Sequence, residues 1–182
     1  MVSVNHLRTT PEGLDITLQS IQKDLYNYLS EKWSGGPLQG SGRVYRNPKE
    51  GNTVPERWNG KGYEDVYFDD SYAASFFFID DTTHESTDGM VFMAKVKLAF
   101  LVNLDKIKTI LSAERLDEQA RHDVISYLRT ISDGRYTITG IQKGVDAVFA
   151  GFDKSRIQLT DMHPKHTFCI NLNVFYYTDQ CT

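Results

Sequence analysis

The 182-residue chain carries 20 Lys and Arg against 24 Asp and Glu, a formal charge of −4, with 40% hydrophobic and 24% charged residues. That balance suits a globular protein and excludes collagen-like, coiled-coil and disordered classes. It also argues against a general nucleic-acid groove or a surface for anionic membranes, both of which need segregated positive charge.

The length predicts one domain, 1–182, with an insertion at about 38–70. The opening MVSVNHLRTTPEG has no apolar h-region, so no secretory signal is expected, and synthesis in a reducing cytosol follows. Cys169 and Cys181 have neither CxxC nor zinc-ligand spacing.

In chain order, Thr10 and Pro11 are a suitable N-cap and first helical residue. Leu14, Leu18, Ile21, Leu25, Tyr28 and Leu29 then recur at three- and four-residue steps, predicting an amphipathic helix to about Trp33, with Gln19, Gln22, Lys23, Asp24 and Asn27 facing away. Ser34–Pro37 (SGGP) ends it. Leu38–Asp70 is rich in glycine, charge and aromatics. It reads as an extended, hairpin-like arm that buries little, with short strands near Arg43–Arg46 and Tyr63–Phe68 and turns at Asn47-Pro48, Glu50-Gly51-Asn52 and Asn59-Gly60.

Tyr72–Ile79 is apolar on both faces and predicts a central strand, followed by a polar turn at Asp80–Gly89. From Met90 to Asn103 every even position is apolar, while Lys95, Lys97 and Asn103 mark the opposite face. The apolar run Gly89–Leu104 is therefore a strand, since Lys95 and Lys97 interrupt it and it falls short of the ~20 apolar residues that span a bilayer. A helical turn at Leu104–Leu111 and a second amphipathic helix at about Asp117–Ser132 follow. Tyr136–Gln142 reads as a strand and Val145–Phe152 as a short helix or edge segment. His166–Tyr177 is a final strand with Thr167, Asn171 and Asn173 opposite its apolar face. The expected fold is α+β: an antiparallel or mixed sheet with two main helices on one face and the long arm.

Chemistry-bearing motifs are sparse. Asp161, His163 and His166 could seed a metal site, but Pro164 breaks the helix that would align the two imidazoles, and the simpler reading puts His163 at the surface or an interface and His166 at the end of an apolar face. His84 and His122 read as solvated. Asp69-Asp70 and Asp80-Asp81 flank the central strand and read as strand-end turns. Gly35–Gly42 fits neither GxGxxG nor GxxxxGK[ST], and GxSxG is absent. The expectation is an interaction protein, not an enzyme, with no cofactor and no metal.

IQKDLYNYL in the first helix, SFFFID, AKVKLAFLVNLDKI, RLDEQARHDV and the closing DMHPKHTFCINLNVFYY together resemble a group of tailed-bacteriophage neck and tail-completion proteins, over most of residues 14–177. The group is similar to tail terminators and to the stacked ring proteins between portal and tail, notably in phages and prophages of gut Bacteroidetes. The resemblance implies a structural virion protein. It would be a homo-oligomeric ring subunit that contacts adjacent portal, neck and tail proteins, helps form or seal the channel, and passes packaged DNA without sequence-specific binding. The implied location is the virion neck or tail, after synthesis in the host cytoplasm and without a membrane.

A head-to-tail ring needs two different complementary surfaces on each subunit. Arg43, Tyr45, Arg46, Arg57, Trp58, Tyr63, Tyr67 and Phe68 in the arm have the Tyr/Trp/Arg composition of interface hot spots, and His163 joins them as an interface candidate. Two alternatives stand beside this reading: a small metal-dependent hydrolase using Asp161, His163 and His166, and a soluble protein-binding adaptor.

Overall fold

The computed structural model describes residues 2–86, 88–107, 115–155, 157 and 162–178. The described fold is mixed α+β. Its six-stranded mixed sheet is built from β1 (Val4–Asn5), β2 (Leu38–Arg43), β6 (Ala74–Ser86), β7 (Val91–Asn103), β9 (Lys165–Tyr177) and β8 (Tyr136–Lys143), in that spatial order. β1, β2 and β6 run parallel, and the pairs from β6 to β8 are antiparallel. β3 (Tyr45–Lys49), β4 (Asn52–Trp58) and β5 (Tyr63–Asp65) form a separate antiparallel sheet. The described residues form four helices: α1 (Leu14–Lys32), α2 (Leu104–Ile107), α3 (Leu116–Thr130) and α4 (Val145–Val148).

Strand alternation sorts the apolar side chains into two cores. On the first face, Phe76 and Phe78 of β6, the even residues of β7 from Ala94 to Val102, and Phe168, Ile170, Leu172 and Val174 of β9 pack against Leu18, Ile21, Leu25 and Leu29 of α1 and Ala120, Val124 and Leu128 of α3. Both long helices therefore cover one face, as the periodicity predicts. A stack of Tyr28 on Tyr127, 4.1 Å apart, ties the helices together, and so does a 3.0 Å hydrogen bond from Trp33 Nε1 to the buried Asp123 carboxylate. On the second face Phe77, Ile79, Ala99, Leu101 and Cys169 pack under Val148, Phe149 and Phe152. The central strand is thus apolar on both sides because both sides are covered.

Several expectations are corrected. The first helix begins at Leu14, not at Pro11, with Gly13 in the left-handed region (φ 52°) at its N-cap. Gln22 is buried, donating to Asn5 Oδ1 and the His6 carbonyl where the unforeseen β1 runs alongside. Leu38–Arg43 belongs to the main sheet: Leu38, Gln39, Gly40 and Ser41 are buried against β6.

The rest of the arm is also not an exposed hairpin. Its middle forms β4, where turns were expected around Asn52, and Val54, Val66, Glu56 and Arg57 are buried. The Glu50-Gly51 turn is retained. Both residues have positive φ (51° and 82°) between the paired Lys49 and Asn52, the two-residue hairpin geometry that matches strand twist.

β6 continues through the expected polar turn as far as Ser86, so His84 lies on a strand. Between Asp80↔Val96 and His84↔Ala94 the register shifts, and Asp81, Thr82 and Thr83 stand opposite Lys95 alone. The second helix runs Leu116–Thr130. Of the turn expected at Leu104–Leu111, Leu104–Ile107 is helical; Lys108 to Leu111, Asp161 and Cys181 lie outside the described residues.

Phe100→Ala removes the ring held between Phe76, Phe168 and Trp33; chemical denaturation is expected to show a loss of about 3–5 kcal/mol. The Tyr136 phenol donates to the Leu128 carbonyl at 2.6 Å, and burial pushes its pKa above the ordinary phenol range. Because the raised folded pKa favours the protonated form, this contribution to stability is intact below about pH 10 and is lost as pH rises through the folded value. Tyr136→Phe is expected to flatten the alkaline fall in melting temperature relative to the wild-type chain.

Candidate functional site

Arg43, Tyr45, Arg46 and Tyr63 come together in one open cleft of about 290 Å³ between β2, the small sheet and Asp80, with Arg8 added from the segment before α1. Tyr45 and Tyr63 are 53% and 40% exposed, with their rings 5.6 Å apart. Trp58 stands edge-on to Tyr63 at 5.5 Å and lines a crevice beside the cleft with His6 and Arg8. Five of the nine candidate residues therefore form one continuous aromatic and arginine surface.

The other four sit elsewhere. Arg57 is only 1% exposed: its Nε donates to Glu64 at 3.0 Å, its guanidinium lies 4.8 Å over the Tyr67 ring, and its two terminal nitrogens have no hydrogen-bond partner among the described residues. It is an interior strut of the small sheet. Tyr67 packs beneath it. Phe68 leans on the second core with Lys165 4.7 Å over its ring. His163 is at the opposite end of β7, its exposed imidazole 3.7 Å from Asp105 of α2.

An ionic chain holds the cleft's back wall. Arg8 pairs with Asp15 at 3.0 Å, Arg43 bridges Asp15 (3.0 Å) and Asp80 (2.9 Å), His84 Nε2 lies 3.4 Å from Asp80, and His84 Nδ1 meets the Tyr176 hydroxyl at 2.7 Å. Arg8 also donates to the Tyr63 hydroxyl. The chain links the N-terminal segment, α1, β2, β6 and β9, so Tyr63, and through its ring Tyr45, is tied to the packed core. Burial works against the Arg43 charge, but the Asp15 and Asp80 carboxylates outweigh it and raise its pKa. Burial, helped by Arg57, pushes the His6 imidazole down.

Sequence reading missed Arg8, Asp15, Asp80, His84 and Tyr176 as members of one network. A partial signal exists: Asp15, Leu18 and Gln22 share a helical face, and both polar members turn out to be buried.

The metal reading finds less geometry. Arg121 Nη1 lies 2.7 Å from His166 Nε2; a guanidinium only donates, so that nitrogen is the acceptor. His163 faces Asp105, and Asp161 lies outside the described residues. No group of three or more His, Cys, Asp or Glu side chains able to hold a metal occurs among the described residues. No helix among them is long and apolar enough to cross a membrane. No protein-family model matches the chain, and no curated protein matches it in sequence.

Asp80→Asn removes the carboxylate shared by Arg43 and His84 and leaves a partly buried guanidinium short of one partner. Urea melts are expected to show a loss of about 1–3 kcal/mol, with Tyr45 and Tyr63 becoming more mobile in side-chain relaxation measurements.

Proposed function

We propose that the chain is a structural virion protein of a tailed phage, a subunit of an oligomeric ring in the neck or tail that joins the portal-proximal region to the tail and helps form or seal the DNA channel. The observation that carries this reading is the cleft: exposed Tyr45 and Tyr63 beside Trp58, Arg8, Arg43 and Arg46, on a small sheet pinned to the core. Tyr, Trp and Arg dominate interface hot spots because they offer large contact area together with hydrogen-bonding ends. A rigid backing lowers the ordering cost of using them.

A second, different surface is available for a head-to-tail neighbour. β8 is an edge strand of the main sheet with β9 as its strand partner, and Ile141 on it is exposed. Such an edge can accept a neighbour's strand. The sequence resemblance supplies the particle in which the ring would sit, and the placement of α1 and α3 on one face of a mixed sheet is compatible with a tail-terminator-like arrangement. In this reading packaged DNA slides through a lumen without sequence-specific contacts, which suits a subunit of net negative charge.

The test is assembly. Tyr45→Ser combined with Tyr63→Ser is expected to leave a folded chain, with each substitution changing stability by about 1 kcal/mol or less. Light scattering of particle-assembled or concentrated protein should show loss of the ring. Normal incorporation of the double variant into particles would refute the interface role of the cleft.

A further inference from the structure

The second face of the main sheet is covered over only part of its length. Ala99, Leu101 and Cys169 lie beneath Phe149 and its neighbours, whereas Lys97, Asn171 and Asn173, on the same side of β7 and β9, floor an open groove of about 530 Å³. That volume is within the range of about 300–1,000 Å³ typical of ligand sites.

The groove is apolar over most of its lining, with Ile79, Val96, Val148 and Leu172 among its walls, and its polar side chains are chiefly donors. Lys97 Nζ donates to the Ala147 carbonyl at 2.7 Å, and Arg46 Nη2 donates to the Asp80 main-chain carbonyl at 2.8 Å. Neither has a carboxylate partner among the described residues, so both cations are positioned by neutral oxygens. Arg46 is fixed further by lying 4.5 Å over the Phe152 ring, and its Nε is buried without a hydrogen-bond partner among the described residues. The side-chain oxygens of Gln142 and Asn171 each lie 3.6 Å from the Cys169 sulfur, sharing its thiol hydrogen. This orientation leaves the two NH₂ groups, which only donate, without a hydrogen-bond acceptor among the described residues.

Acidic groups set the limit on what fits. Asp80 is taken by Arg43, and Glu85 takes Lys95 at 3.1 Å, but Asp81 at the rim has no ionic partner among the described residues. Two uncompensated cations therefore face one uncompensated acid. A nucleic-acid backbone would carry repeated charge past Asp81, whereas a neutral, carbonyl-bearing chain with a single carboxylate matches both the charge and the donor excess.

We propose that this groove binds an extended segment of another polypeptide through one acidic side chain, with the carboxylate paired to Arg46 and Lys97 and main-chain carbonyls accepting from Gln142 and Asn171. The inference rests on the groove alone and holds whether or not the chain is a virion subunit.

The test titrates the full ¹⁵N-labelled chain with capped pentapeptides that carry glutamate at the centre and a degenerate mixture at the other positions. The side-chain amide signals of Gln142 and Asn171 are expected to shift. The matching glutamine-centred mixture should bind about tenfold more weakly or worse, as expected for losing a charge-assisted contact. Arg46→Gln should weaken glutamate binding by about tenfold while Arg46→Lys retains it, with dispersed spectra showing that both variants fold. Equal response to the two mixtures, no response at millimolar peptide, or unchanged affinity in Arg46→Gln would overturn the proposal. A stronger response to inorganic phosphate or oligothymidylate, or acetate binding as tightly as the peptides, would overturn it equally.

Discussion

Phe76, Phe100 and Phe168 sit directly opposite one another across β6, β7 and β9, with ring centroids 5.5 and 4.8 Å apart, and Trp33 at the end of α1 closes on the middle ring. This row locks the register of the three longest strands. A slip of one residue in any of them would move its whole apolar set to the other face. Everything functional in the molecule inherits its position from that lock. With Phe76 opposite Phe100, Asp80 falls opposite Val96, and the bulge that follows turns His84 toward Tyr176. Asp80 then receives Arg43, and Arg43 secures Asp15 of α1.

The same lock divides the sheet into surfaces of different character. One face is covered mainly by α1 and α3, with Leu104 and Ile107 of α2 in the same core. The other changes character along its length, from the apolar Ala99, Leu101 and Cys169 under Phe149 to the polar Lys97, Asn171 and Asn173 in the open groove. Arg46 and Asp80 line both the groove and the Tyr45–Tyr63 cleft, so the two proposed recognition surfaces meet along β3 and the bulged part of β6. Side chains anchored this way are held in place before a partner arrives, which is how a modest contact area becomes a usable interface.

The long strands and both long helices are legible in the sequence. Strict alternation in Met90–Asn103 and His166–Tyr177 announced long strands, and even marked Lys95, Lys97, Asn171 and Asn173 as a polar opposite face. The 3.6-residue stripes located both long helices to within a few residues. What misled was composition used as a proxy for exposure. Leu38–Asp70 is glycine-rich and charged, yet Gly40 is where a Cβ would meet Asn5 at 2.7 Å and the Phe76 ring at 3.0 Å, a close approach to a packed neighbour and not a sign of looseness. Arg57, read as a surface hot spot, is buried because Tyr67 and Glu64 surround it. The polar run after Ile79 looked like a turn because the antiparallel partner that extends β6 lies beyond it in sequence. The ionic chain was invisible for a related reason: its members are scattered from Arg8 to Tyr176 and meet only once the sheet has formed.

The aromatic and arginine cleft is proposed as a subunit contact in an assembled ring. The most direct measurement is a density map of intact particles at side-chain resolution. It should show the chain repeated around the DNA channel with Tyr45 and Tyr63 packed against a neighbouring subunit or an adjoining ring. A map in which the chain is absent from the neck and tail, or in which both tyrosines face open solvent in every copy, would contradict it.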